Sequence, residues 1–282
     1  MPLGHKSLFL KIPVLLGSEP GHDCFPGGFV IEKHVDWFED FVRNYLTGDP
    51  EHDGHIELKK DHSLKVLAEA QAITRTLDLP PRLAWAAHLA ALYHDLGRFP
   101  QYRRYHTFQD SRSENHAHLG CRSLRQGRAL DGLDPGLRGL VLGAVVMHNL
   151  RELPVNISAD LGLVARIVRD SDKLDIVRIM LEYLRPGGKD SDVVTLHVAD
   201  EPGLYSAVIV EQIRAGHIGD YAHMRYMNDF KLLILSWVYD LNFGASRRAF
   251  LERGHARELF ELLPQTGELT QLQDTIYDAL NH

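Results

Sequence analysis

His94 and Asp95 end the apolar run Ala90-Ala91-Leu92-Tyr93. Burying an imidazole beside a carboxylate is costly unless something pairs them, and a divalent cation would do so. His62, His116, His148 and Asp172 are further residues of the metal-ligand type, each on or beside its own apolar, helix-like segment. One His or Asp from each of several helices is how a metal site is built inside a helical bundle. Neutral imidazoles and carboxylates suit Mn, Fe, Co, Ni, Zn or, less well, Mg.

The elements that must position these residues can be read from spacing and caps. Trp37, Phe38, Phe41, Val42 and Tyr45 fall at helix spacing until Gly48 and Pro50, and a second helix is predicted from about Asp61-His62. Pro80-Pro81 opens a central helix in which Leu83, Ala87, Ala90 and His94 share a face. After Gly97 and Pro100 the composition predicts a polar loop through Tyr102, Arg103, Arg104, Tyr105, His106 and Asp110. A helix follows from His116, led in by Asn115 or Glu114.

Asp134-Pro135 is an N-cap and first-position pair for a helix in which Leu137, Val141, Ala144 and His148 align. Ser158 caps a long helix carrying Leu161, Ala165, Val168, Asp172 and Asp175 on one face. The β-branched residues in Val193 to Val198 and Tyr205 to Val210 leave a short β-hairpin near 193-210 open, although the second stretch equally suits a helix start. Helical patterns then cover 228-241, with Gly244 as C-cap, and the regions 250-263 and 269-280. The predicted fold is all-α: an irregular, Gly- and Pro-rich arm over 1-30, then one helical domain over 31-282 with a C-terminal helical extension.

Composition sets the outer bounds. The chain has 282 residues, 44% of them hydrophobic, and a net charge of −7, which argues against a general nucleic-acid binder. Small anionic substrates remain compatible, because a metal supplies positive charge locally. Cys24 and Cys121 are far apart and lack CxxC spacing, so free thiols in a reducing cytoplasm are expected. No stretch reads as a secretory signal or a membrane span. Oligomeric state has no signature in the sequence.

The motifs His62, His94-Asp95 and Asp172 in Ser171-Asp172-Lys173-Leu174-Asp175 resemble the H…HD…D signature of the HD superfamily of metal-dependent phosphohydrolases. Asn115-His116-Ala117-His118-Leu119-Gly120 is similar to a further His-containing element of that superfamily, and His148 in Met147-His148-Asn149 falls where many two-metal members carry another His. The resemblance implies a multi-helix HD-domain bundle with a dinuclear centre. Asp95 would bridge two ions, with His62, His94 and Asp172 on the first and His116 and His148 on the second.

It also implies hydrolysis of a nucleotide or other small phosphate ester by metal-activated water. Arg98 stands where many members have Lys, and offers bidentate geometry to phosphate. Arg98 and Lys173 are the candidate phosphate clamps, with Asn149 and His106 as further substrate contacts and His118 as a candidate proton donor; Arg103 and Arg104 suit a solvated loop better. His88 shares the face of Asp95, where it would fill core or orient a ligand. Asn149 after His148 departs from the double histidine of the cyclic-di-GMP phosphodiesterase branch, which argues against that substrate. The alternatives are an HD-type diiron oxygenase and a non-catalytic ligand-binding signalling module.

Overall fold

The computed structural model describes residues 24-25, 29-185 and 201-282, and these form an all-α fold. Within the N-terminal arm, two short strands, β1 (Cys24–Phe25) and β2 (Phe29–Val30), pair antiparallel, so that part of the arm is regular. Residues 1-23, and the Val193 to Val198 stretch of the suggested hairpin, lie outside the described residues.

Helix α1 (Ile31–Arg43) buries Ile31, His34, Phe38 and Val42 at helix spacing. Helix α2 runs Pro50–Thr74, starting well before Asp61. The Asp49 side chain accepts from the amide of His52 at 2.8 Å and Pro50 takes the first helical position, so the proline expected to stop one helix opens the next. The polar first turns, with few apolar positions, hide this start from periodicity. As a result His62 sits inside a long helix, held by turns on both sides.

Helix α3 (Pro81–Tyr93) is buried on every face and packs against α2, α6 and α7, as a central helix must. Its chain turns at His94 to Gly97 directly into α4 (Arg98–Tyr105), where a loop had been predicted. Pro100 falls in the first turn of α4, where a missing N–H leaves no bond unmade. Helices α5 (His116–Gln126), α6 (Pro135–Met147) and α7 (Ala159–Leu184) start at Asn115, Asp134 and Ser158, whose side chains accept from the amides of His118, Leu137 and Leu161.

The C-terminal layer comprises α8 (Ala207–Arg214), α9 (Met227–Ser236), the 3-10 turn Trp237–Asp240, α10 (Gly244–Glu252), α11 (His255–Glu261) and α12 (Gly267–Asn281). The second half of the suggested hairpin is therefore helix α8, buried through Ile209, Val210 and Ile213. Gly244 begins α10 and caps nothing before it. The break between α10 and α11 comes at Gly254, whose φ of 73° is left-handed. Among the described residues no helix is long and apolar enough to cross a membrane.

Three histidines of this framework, His34 and His255 buried and His88 partly so, carry no ligand role. His34 bonds the Tyr93 hydroxyl at 2.9 Å, His88 bonds Thr74 Oγ1 at 2.8 Å, and neither ring nitrogen of His255 has a partner. Burial pushes each of them down to about 4, against an unfolded value of about 6.5. Between those values the unfolded chain binds more protons, so stability should fall as the pH drops from about 6.5 towards about 4. His255→Leu, which removes a buried imidazole that makes no hydrogen bond, should raise the denaturant midpoint, and by more at about pH 5 than at about pH 7. Equal midpoints at both pH values for the variant and wild type would contradict this.

Candidate metal centre

The six residues of ligand type meet at one place. His62 comes from the middle of α2, His94 and Asp95 from the end of α3, His116 from the first position of α5, His148 from the end of α6, and Asp172 from α7. They form two groups, His62 with His94 and Asp172, and Asp95 with His116 and His148; in each, one donor atom per residue lies within 4.8 Å of the others. In the first group, Asp172 Oδ1 lies 3.1 Å from His62 Nε2 and 3.5 Å from His94 Nε2.

Asp95 faces both groups. Its Oδ2 is 3.7 Å from His62 Nε2 and 3.8 Å from His94 Nε2, whereas Oδ1 is 3.3 Å from His116 Nε2 and 3.8 Å from His148 Nε2. One carboxylate thus offers an oxygen to each pair of imidazoles.

The outer nitrogens decide what the inner ones can do. His94 Nδ1 donates to Ala91 O and His148 Nδ1 to Val145 O, both at 2.7 Å. His62 Nδ1 bonds Asp175 Oδ2 at 2.7 Å and His116 Nδ1 bonds Asp110 Oδ2 at 2.8 Å. Carbonyl and carboxylate oxygens only accept, so every Nδ1 holds a proton and every neutral ring turns an Nε2 lone pair inward. The Nε2 atoms of His62 and His94 stand 3.2 Å apart, and those of His116 and His148 3.0 Å apart. Two lone pairs at such distances need a cation or an extra proton between them. Nitrogens sharing an ion at roughly 2.0–2.1 Å stand within about 4.2 Å of each other. The donor set fits divalent metal.

Charge is arranged to match. Burial alone would push the Asp95 carboxyl up, but Lys59 and Arg98, followed by His94 and His116, hold it well below the usual carboxylate range. Lys59 Nζ lies 2.7 Å from Asp95 Oδ2 and Arg98 Nε 3.2 Å from Oδ1. Burial likewise opposes ionisation of Asp172, and hydrogen bonds from His62 and His94 overcome it. His62 is pulled down by burial but raised by its bonds to Asp172 and Asp175, ending at about 9. Burial and the neighbouring His116 and His94 rings take His148 down to about 3.

The other candidates fare differently. Arg98 is turned into the protein, bonding Asp95, Gln101 Oε1, Phe108 O and Asp110, and so orients the centre rather than reaching out. Lys173 pairs with Asp240 Oδ2 at 2.7 Å. Asn149 is exposed, with its Nδ2 3.4 Å from Asp110 Oδ2. His118 is exposed, its amide bonded to the Asn115 cap. His106 ends α4 with a φ of 51°, its ring near Tyr102 and His52. Arg103 and Arg104 lie over the Tyr45 and Tyr105 rings on the surface.

Lys59, Asp110 and Asp175 complete the surroundings without having been assigned a role from sequence. Lys59 and His62 are three apart on α2 and so share a face, which was the available signal for the first.

Residues 60-177 match the protein family described as HD domain. Over that stretch the chain is similar to HD domains. Domains of this family bind divalent metals and belong to a superfamily of metal-dependent hydrolases. No curated protein and no solved structure matches the chain.

The match spans α2 from Lys60 to α7 at Val177, taking in all six ligand-type residues and leaving Lys59 just outside. Within it, Gly97 sets the approach of the α3–α4 turn to the start of α5. A Cβ there would lie 1.9 Å from the His116 carbonyl oxygen and 2.5 Å from the Gly120 amide nitrogen. Backbone cannot yield as a side chain does, so Gly97→Ala should destabilise by about 1–3 kcal/mol or more. Gly139→Ala, exposed on α6 with nothing within 4 Å of the added Cβ, should stabilise by about 0.5–1 kcal/mol. Denaturant unfolding of both variants measures the contrast, and a neutral Gly97→Ala would disprove the tight approach.

Proposed function

We propose that the protein is a metal-dependent phosphohydrolase acting on a nucleotide or another small phosphate ester, with two ions sharing Asp95. The observation that carries this reading is the division of Asp95 between two imidazole pairs whose lone pairs all face inward. A centre that held one structural ion would need only one such pair. His62, His94 and Asp172 would hold one ion, and His116 and His148 the other. When bound, such ions supply Lewis acidity, acidifying a coordinated water and offsetting phosphoryl charge.

The chain's own groups prepare that site. Asp110 and Asp175 fix the His116 and His62 tautomers, while Lys59 and Arg98 keep Asp95 ionised and aimed. Lys59 and Arg98 are also cations next to the cluster that suit an anionic substrate, although both are paired with Asp95 here; Lys173, the other cation suited to phosphate, is paired with Asp240. A small phosphorylated molecule is the proposed partner.

Asp95→Ala, which removes both oxygens, and the closer mimic Asp95→Asn, which leaves one neutral oxygen for two imidazole pairs, should each lose the paired ions and nearly all turnover. Because Arg98 touches Asp95 and Asp110, Arg98→Ala should weaken metal binding by about 10–100-fold, as removal of outer partners does, rather than act on KM alone. The measurements are metal content after dialysis and phosphate release from a panel of nucleotides and phosphate esters with Mn or Co. Asp95→Asn protein with both ions and full turnover would overturn the assignment, and so would iron-loaded wild type that consumes oxygen and releases no phosphate.

A further inference from the structure

Two consecutive side chains of α7 are fastened to the segment Asp240 to Phe243, which lies beyond the family match. Arg169, 6% exposed, donates through Nη1 to His148 O at 3.3 Å and to Leu150 O, and through Nη2 to Arg151 O at 3.2 Å and Asp240 Oδ2 at 2.8 Å. Asp170 accepts from the amides of Asn242 and Phe243 at 2.9 and 3.1 Å, and from Asn242 Nδ2 at 2.8 Å. Asp240 Oδ2 also takes Lys173 Nζ at 2.7 Å.

Three carbonyls on one guanidinium fix the path of the chain as it leaves α6, and His148 stands at that exit. The outer nitrogen of His148 is tied to its own helix, through Val145 O, so where its Nε2 falls relative to Asp95 depends on how the end of α6 is held against α7. Arg169 makes that connection. A guanidinium buried there needs a carboxylate to remain in place, and Asp240 provides it from the C-terminal layer. The orienting partners of the other group, Asp175 for His62 and Ala91 for His94, lie within residues 60-177; the C-terminal layer packs on α7 and α2, but the bonds that orient these two rings come from α7 and α3 themselves.

We infer that Asp240 is a positioning residue acting through Arg169 on His148, so that this link from the C-terminal layer completes the Asp95, His116 and His148 half of the centre and does not orient the rings of the other half. This rests on the two-ion reading above, and wild type tests that reading first. Metal-free full-length protein titrated with Mn or Co in equilibrium dialysis should take up two ions. A wild type that binds one ion would overturn the two-ion reading, and this inference with it.

Given two ions in wild type, Asp240→Asn should bind the first as before and the second about 10–100-fold more weakly. Arg169→Met should show the same loss, the double variant should add nothing further, and Asp240→Glu should recover the second ion. Asp240→Asn also removes the carboxylate that pairs with the Lys173 ammonium, and the freed charge is a second way for the variant to weaken an ion. Adding Lys173→Met separates the two causes: the second-ion loss persists if position is at fault and disappears if charge is. Two ions at wild-type affinity in both Asp240→Asn and Arg169→Met, with only the melting temperature lowered, would show a purely structural contact and overturn the inference. Equal weakening of both ions would do the same. Should Asp240→Asn fail to fold, Arg169→Met, which keeps the Lys173–Asp240 pair, carries the test alone.

Discussion

The centre depends on a carboxylate kept ionised where burial disfavours it. Asp95 is 3% exposed, and an isolated charge there would be neutralised by taking up a proton. Lys59 and Arg98 prevent that by bonding one oxygen each, at 2.7 and 3.2 Å. Both oxygens therefore remain acceptors, and each faces a different pair of imidazoles. The path of the chain follows from this requirement. α2 delivers Lys59 with His62, the turn after α3 delivers Asp95, and α4 begins with Arg98 folded back over it.

Two devices orient the four imidazoles. His94 and His148 follow the last residues of α3 and α6, where helix carbonyls lack intrahelical partners, and each ring satisfies one of them through Nδ1. The helix end thus gains a cap and the ring gains a fixed tautomer. His62 and His116 have no free helix carbonyl within reach, one being mid-helix and the other at an N-terminus, so each uses a carboxylate, Asp175 or Asp110. A carboxylate makes its imidazole more basic than a carbonyl does. His62 rises against burial through its bonds to Asp172 and Asp175, whereas burial outweighs the Asp110 bond in His116, and burial with the neighbouring rings lowers His148.

The ligand-type residues were legible in the sequence because each interrupts an otherwise apolar face: His94, His148 and Asp172 hold the core-facing phase of their helices, and a buried ligand must do so. The helices of α3, α6 and α7 were legible for a related reason, since Pro81, Asp134-Pro135 and Ser158 act through bonds within a few residues. What was not legible depends on distance. Lys59 reaches Asp95 across 36 residues and Lys173 reaches Asp240 across a helical layer, and no local pattern encodes such a contact. The start of α2 was hidden because its first turns are polar on every side, and Pro100 misled because a proline in a first turn and one after a helix look alike in sequence.

The two halves of the centre also differ in the basicity of their imidazoles. In the first, the bonds to Asp172 and Asp175 raise His62 against its burial. In the second, burial and Arg98 lower His116, while burial and the neighbouring rings lower His148. The two rings face each other at 3.0 Å. The scaffold holds them there: Asp110 on the α5 side, Arg169 on the α6 side. Close-packed helices can hold such an arrangement because their ends cannot shift independently. A cation bound there would meet ligand atoms that the helices already hold together, so its binding free energy would add to stability instead of being consumed in bringing the ligands together.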